Sequence, residues 1–354
     1  MTQVSEHSQA SAWSRAGVVY VYNFSFWKKP VVRSLFAGAR VIFVDRAEVV
    51  PAGATVAVWG LRSLPADVEA RVSILRLEDG FLRSVGLGAD LIRPVSWVVD
   101  ARGMYFDATR PSDLEVLLSE TEFPPELLTR AAALRERIVS SGLTKYNVGV
   151  AGWIRPTGAD RVILVPGQVE SDASITYGAP GVKTNLGLLQ AVRSANPDAY
   201  VIYKPHPDVV AGLRAKGVAE DAAGKWCDET LVDVSMGELL RQVDEVHVLS
   251  SLAGFEALLR GKKVTCYGQP FYAGWGLTND VIPHPRRSRR LTLDELVVGV
   301  LVLYPYYFDR DGGGLVTPEL ALDQLLAWRA ESGGATPWWR NLFRVVLRRV
   351  VGVR

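Results

Sequence analysis

Short apolar runs rich in β-branched residues recur along the first third of the chain, at positions 17–22, 40–44, 55–59 and 72–77. Segments of helix or turn character, such as 29–38, separate them. This spacing predicts parallel strands joined by crossovers. Two further strands are expected at 96–100 and 103–106, joined tightly at Ala101 and Arg102. Ser112 follows a proline and supplies an N-cap for a helix through Leu118, while Pro124 and Pro125 open another that reaches Ser140.

A second alternation follows. Strands are predicted at 161–165, 200–203, 245–249 and 263–267, the last strand of the chain, with helices at 185–194, 236–242 and 252–260. Helices at 292–303 and 317–330 come after them. Between the two alternations lies a stretch with glycines, Pro156 and no clear period, the composition of a linker. The predicted division is a frayed tail over 1–15, a Rossmann-like domain over 16–145 and a linker over 146–158. A second Rossmann-like domain over 159–303, a helical segment over 304–336 and a basic tail over 337–354 complete it. The expected fold class is α/β, with two halves facing across a cleft in the GT-B arrangement of nucleotide-sugar glycosyltransferases.

Composition narrows the possibilities. A chain of 354 residues, 48% hydrophobic, can bury a large core and suits two domains better than one. Forty basic against 38 acidic residues leave a net charge of +2, too even for nucleic acid as the main partner. Cys227 and Cys266 lie far apart without metal-ligand spacing, which argues for a reducing compartment and against a zinc site or disulfide framework. Residues 1–15 lack the apolar core of a secretory signal. The apolar run 296–308 is broken by Pro305 and is shorter than the roughly 18 to 20 residues of a membrane span. Residues 337–354 carry Trp338, Trp339 and five arginines with no acid. That composition suits either an anionic lipid surface or a terminal helix docked on the body.

The chemistry-bearing residues gather at strand ends. The strand 72–77 stops at Glu78, Asp79 and Gly80, and Arg83, Ser84, Gly86 and Gly88 follow closely. An open α/β sheet places its chemistry at the carboxyl ends of its strands, although acidic-glycine tripeptides also make plain turns. In the second half, parallel strands would bring Gln168 with Asp172 and Ser174, Lys204 with His206, and Ser250 with Ser251 to one edge. Ser250 and Ser251 precede a helix and therefore offer an anion site. Glu256, about one turn into that helix, either accepts bonds from ribose hydroxyls or is a solvated helix residue. Prolines on both sides fix the direction of His206. His284 is expected to be structural, its neighbours Arg286, Arg287, Arg289 and Arg290 solvated or phosphate-facing, and His247 a core residue. Position 91 is leucine, so Gly86 and Gly88 do not extend to a dinucleotide fingerprint. Asp309, Arg310 and Asp311 read as a turn between two helices rather than a metal-binding DxD. Neither a catalytic metal nor a cofactor is expected.

Longer segments carry a resemblance. RLEDGFLRSVGLGADLIRP with VVDARGMYFDATRPSDLE, then VPGQVESDASITYGAP, YKPHPDV and SSLAGFEALLRGKKVTCYGQPFYAGWGLTND, make the chain resemble the KpsC-type capsule polysaccharide proteins, bacterial retaining β-Kdo transferases. Members of that family commonly carry two such modules, and this chain has one, more like the second. The resemblance implies transfer of Kdo from CMP-Kdo to a Kdo-terminated acceptor on a phosphatidylglycerol-type lipid, at the cytoplasmic face of the inner membrane. A separate chain would then form the other linkage. The acidic-acidic-glycine and His-Pro motifs are also similar to those of CMP-using sialyltransferases. By that likeness Asp79 is the catalytic carboxylate with Glu78 beside it, as a base or as a turn former. His206, Ser250 and Ser251 hold the CMP phosphate, and Arg83 or Lys204 pairs with the sugar carboxylate or the phosphate, with Ser84 on the acceptor side. Two alternatives stay open: a sialyltransferase-like enzyme using another CMP-sugar, and a non-catalytic capsule assembly or export factor.

Overall fold

The computed structural model describes residues 17–84, 94–145, 149, 152–310 and 314–331. Two sheets organise them. The first runs β13-β12-β5-β4-β3-β1-β2 and the second β11-β10-β9-β6-β7-β8, numbered in chain order. In the first sheet β1 (Val18–Tyr22), β2 (Arg40–Val44), β3 (Thr55–Trp59) and β4 (Ser73–Asp79) pair in parallel. In the second, β6 (Val162–Pro166), β7 (Tyr200–Lys204), β8 (Glu229–Thr230), β9 (Glu245–Val248), β10 (Lys263–Cys266) and β11 (Asn279–Asp280) are all parallel. Every residue of β6 and β9 is buried. Continuous burial is what helices on both faces of a parallel sheet demand, and it explains why these strands read as unbroken apolar runs.

The first sheet departs from the expected parallel pattern. β5 (Ser96–Asp100) lies antiparallel to β4, and β12 (Pro305–Phe308) and β13 (Leu315–Val316) return antiparallel beside it. Residues 103–106, expected as a strand, form turns instead. The cause is Asp100, whose carboxylate accepts from the backbone N–H groups of Arg102, Gly103 and Asp113. Those donors are satisfied locally and have no need of a neighbouring strand.

Two more expectations need correcting at the end of the chain. The segment 304–336, expected to be helical, opens with β12, because Tyr306, Tyr307 and Phe308 suit the pleated edge beside β5 better than another helical turn. With β11, β12 and β13 present, 263–267 is not the last strand. Asp309 and Arg310 consequently follow a strand, and Asp309 N–H bonds Gly314 O at 2.8 Å within the β12–β13 connection. Asp311 lies outside the described residues, as do Gly86, Gly88 and the 337–354 tail. The helix expected at 292–303 forms as Leu293–Val297 with a Thr292–Glu295 capping box, then widens into a π-helical turn over Val298–Leu303.

One apolar core joins the halves. It runs from Phe81, Leu82 and Val98 through Leu134 and Ile138 of the helix Pro125–Ser140 to Val162, Val246 and Phe255. A polar clasp reinforces it. Glu115, buried on the helix Asp113–Glu120, pairs with Arg286 at 2.6 Å and Arg287 at 3.1 Å. Arg289 donates to the carbonyls of Leu118 and Thr121. These arginines were expected to be solvated or phosphate-facing. They are instead structural cations, spent on a carboxylate and helix-end carbonyls that would otherwise be buried unpaired. His284 is buried beside the same carboxylate.

Candidate active site

Each sheet presents its strand ends to the region between the halves. On the first, β4 ends at Glu78 and Asp79, and position 80 has room only for glycine, because a Cβ there would collide with the Ser96 side chain. Phe81 then packs across onto the second half, its ring 6.3 Å from Phe255 and 4.7 Å from Phe271. The acidic pair is thereby anchored next to the helix Leu252–Leu259, which starts at Ser251.

Asp79 Oδ2 accepts from Arg83 Nε at 2.7 Å, and Arg83 Nη1 reaches Ser84 Oγ at 3.0 Å. Arg83 is buried, whereas Asp79 keeps 21% of its side-chain surface exposed, so the guanidinium orients a carboxylate that still faces outward. Glu78 Oε1 accepts from Asp79 N–H at 3.0 Å. Its carboxyl is pushed up to about 7, chiefly by burial and then by the charge of Asp79, with Asp79 N–H, Lys28 and Lys145 pulling the other way. Two adjacent carboxylates thus differ in character, one held by an arginine and one poised near neutrality.

The second half contributes a linked polar edge. Its strand order reverses between β6 and β9, and the crevice outside that reversal is where open α/β folds bind ligands. Gln168, just past β6, bridges it: Oε1 accepts from Ser250 N–H at 2.9 Å and Nε2 donates to Ser250 Oγ at 3.2 Å. Ser250 Oγ donates in turn to Ser174 O at 3.0 Å. Asp172 caps the helix Ala173–Gly178 by accepting from Ser174 N–H, and Ser251 Oγ caps the helix Leu252–Leu259 by accepting from Ala253 N–H.

His206 is fixed by more than its prolines. Its Nδ1 accepts from Asp208 N–H at 3.1 Å, which leaves the ring proton of the neutral form on Nε2. Burial, then Lys145, lowers it to about 4 against the pull of Asp172, so it stays a neutral donor through physiological pH. Lys204 is also buried, lowered to about 8 by that burial, and donates to Val232 O at 3.0 Å. Glu256 is buried rather than solvated. One of its oxygens accepts from Lys145 N–H at 2.6 Å, and burial raises its carboxyl above the ordinary range.

Two cations that the sequence pattern did not single out organise this arrangement. Lys145 acts electrostatically on Glu78, His206 and Glu256 together. It lies at the edge of the stretch taken for a linker, where composition gives no hint of a site. Lys28 faces Glu78 and Asp79 from the loop after β1. Its signal was positional: it follows a parallel strand on the edge that carries the acids. Gln168, Ser250, Ser174 and Asp172 form one hydrogen-bonded group, with the charge of Asp172 felt at His206, and Glu78, Asp79, Arg83 and Ser84 form another. The charge of Lys145 is felt by Glu78 of the one and by His206 beside the other.

The comparisons with known proteins follow this geometry. The chain matches the family described as capsule polysaccharide biosynthesis protein over residues 55–148 and 154–307. It is 43% identical over 321 residues to the capsule polysaccharide modification protein LipA of Neisseria meningitidis serogroup A, covering 88% of this chain and 46% of that protein. The chain therefore spans about half the length of the LipA proteins it matches. The lipopolysaccharide-processing protein LpsZ of Rhizobium meliloti is 40% identical over 319 residues, 84% of this chain and 72% of that one. Among solved structures, Thermosulfurimonas dismutans KpsC, beta Kdo 2,7 transferase, superposes with TM-score 0.73 at 41% identity, covering 88% of this chain and 99% of that one. The beta Kdo 2,4 transferase of the same name superposes with TM-score 0.76 at 33% identity, covering 88% and 98%. The two-sheet α/β architecture is thus the GT-B-like one of these structures. Matched over most of residues 55–307 and sharing this identity with its relatives, the chain belongs to the family of capsule polysaccharide biosynthesis proteins.

Proposed function

We propose that this chain is a retaining β-Kdo transferase that moves Kdo from CMP-Kdo onto a Kdo-terminated, lipid-linked acceptor in capsule biosynthesis. The observation that carries this reading is that the charge of Lys145 is felt both by Glu78, beside Asp79 at the end of a first-sheet strand, and by His206, past the end of a second-sheet strand. The two superposable KpsC structures, titled beta Kdo transferases, support the same chemistry.

In this mechanism Asp79 attacks the anomeric carbon of the donor sugar from the face opposite the nucleotide. The bond to the phosphate oxygen breaks and its electron pair leaves with CMP. A ketose carrying its own carboxylate gives a crowded, oxocarbenium-like centre, for which capture by a carboxylate is the direct route to retention. Arg83 holds Asp79 in line. The neutral imidazole of His206 donates from Nε2 to the departing phosphate, and Lys204, Ser250 and Ser251, with Gln168, Asp172 and Ser174 shaping the loops, complete the CMP site. Glu256 approaches the ribose with one oxygen already held by Lys145 N–H. In the second step an acceptor hydroxyl attacks the sugar ester and passes its proton to Glu78, and Asp79 leaves as the carboxylate. A side chain titrating near neutrality is suited to that transfer.

The Rossmann-like division at 146–158, a second transferase supplying the companion linkage, and contact of 337–354 with the anionic inner face of the bacterial inner membrane belong to the same proposal. No helix among the described residues is long and apolar enough to cross a membrane. The test is incubation of purified protein with CMP-Kdo and synthetic β-Kdo acceptors, followed by mass spectrometry and NMR of the product. CMP release with formation of a β-linked product is expected, and the linkage is read from the same spectra. Absence of CMP release with every Kdo-terminated acceptor would refute the assignment.

A further inference from the structure

The first sheet has its own reversal, where β1 is flanked by β2 on one side and β3 on the other. Asn23 leaves β1 in the left-handed conformation, φ 53°, and its carbonyl accepts from Arg62. The chain turns back there over the strand ends, so that Phe26 stands 83% exposed. Lys28 does the opposite and folds inward, with Nζ 2.8 Å from the ring centre of Trp59.

Trp59 ends β3 and packs 5.0 Å from Trp97, which is the register partner of Asp79. At the next residue, Gly60, a Cβ would come within 3.1 Å of Glu78 Oε2. The ammonium therefore rests on an aromatic platform beside both carboxylates, a position that the ring itself favours. Lys28 makes no ion pair among the described residues, whereas Arg83 is committed to Asp79 and Ser84.

We propose that Lys28 is the cation that recognises the carboxylate of the sugar being transferred, a specificity role that rests on the acid-sugar transferase reading above. The stereochemistry supports it. Attack by Asp79 brings the anomeric carbon against its carboxylate, and the sugar's own carboxylate is one bond from that carbon. It must therefore lie beside Asp79, on the first-sheet side of the cleft, where Lys28 faces the acidic pair without an ion pair among the described residues. Lys145 also acts on Glu78, but its charge is shared with His206 and Glu256. Burial lowers Lys28 to about 8 while Asp79 and Glu78 pull it up, so it arrives at neutral pH mostly charged and poorly solvated, ready for an incoming anion.

Lys28→Met keeps the stem on Trp59 and removes the charge. The measurement is kcat/KM of the full chain with CMP-Kdo and with its sugar carboxamide, alongside CMP affinity by calorimetry. The wild type should prefer the acid donor by roughly 10- to 100-fold, the worth of one charge-assisted hydrogen bond. Lys28→Met should lose about that factor on the acid donor with little further loss on the carboxamide, and Lys28→Arg should regain part of the preference. CMP affinity should match the wild type in both variants, as the nucleotide is held by the other half. An equal loss on both donors, or a wild type without preference, would overturn the proposal. A wild type that releases no CMP from CMP-Kdo with any acceptor would instead sink the transferase assignment.

Discussion

In the proposed mechanism the neighbours Asp79 and Glu78 have different tasks, and substitution should separate them. Asp79→Asn retains the shape and can still accept from Arg83, so the fold should persist by circular dichroism while transfer falls on the order of 10⁴-fold or more, as for other nucleophile removals. Glu78→Gln should slow transfer roughly 10²- to 10⁴-fold and abolish an acid limb near pH 7 in the rate profile. The same carboxyl makes a thermodynamic prediction. Its folded value, about 7, lies above the ordinary 4.5, so the folded state holds a proton that the unfolded state releases between those pH values. The stability of the wild type relative to Glu78→Gln should fall as pH rises from about 4.5 to about 7 and level off above that, read from melting temperatures. A flat difference would contradict the raised Glu78 carboxyl. His206 offers the contrast. Lowered to about 4, it contributes no limb near neutrality, and His206→Ala should cost about 10²- to 10³-fold without changing the shape of the profile above pH 5.

At the scale of elements, the clasp around Glu115 ties the helix Asp113–Glu120 to the segment carrying His284, Arg286 and Arg287. Both Glu115 and Arg287 are buried, so removing the carboxylate leaves a guanidinium without its partner in a poorly hydrated place. Glu115→Ala should destabilise the protein by about 3–5 kcal/mol in urea titrations, far more than a surface ion pair would. Arg137 with Asp323, more exposed on both sides, is the internal control, and its loss should cost less than about 1 kcal/mol. Elements also show where sequence pattern prevails. β1 to β4, β6, β7, β9 and β10 form from short apolar runs between turns, and Ser112, Thr184, Ser235 and Thr292 cap helices as their residue types favour. The pattern failed at 103–106, where the Asp100 carboxylate took the backbone donors, and at β12, where the edge of a distant sheet recruited a segment that follows a helix.

For the whole molecule, the apolar core that crosses from Val98 to Val246 makes the halves mutually dependent. Calorimetry should show one cooperative unfolding transition whose midpoint rises with CMP, since a ligand held by the folded state alone stabilises every element coupled to it. Two separated transitions, only one of them shifted by CMP, would contradict that coupling. At the same scale belongs the proposed attachment to lipid. Truncation after Ala335 removes Trp338, Trp339 and five arginines, and should abolish sedimentation with anionic vesicles while leaving the melting temperature in place.

By itself the sequence located the polar residues that end strands and that the proposed mechanism uses. Alternation and β-branching are local properties, and Glu78-Asp79-Gly80, His206 between prolines, and Ser250-Ser251 are visible without any partner. Tertiary structure alone decided what surrounds them. The charge state of Glu78, the lowered lysines, the fate of Arg286 and Arg287 and the placing of Lys28 on Trp59 all depend on burial and on groups distant in the chain. Desolvation and Coulomb interaction are functions of spatial distance, and no spacing along a sequence encodes them until the sheets have brought their edges together.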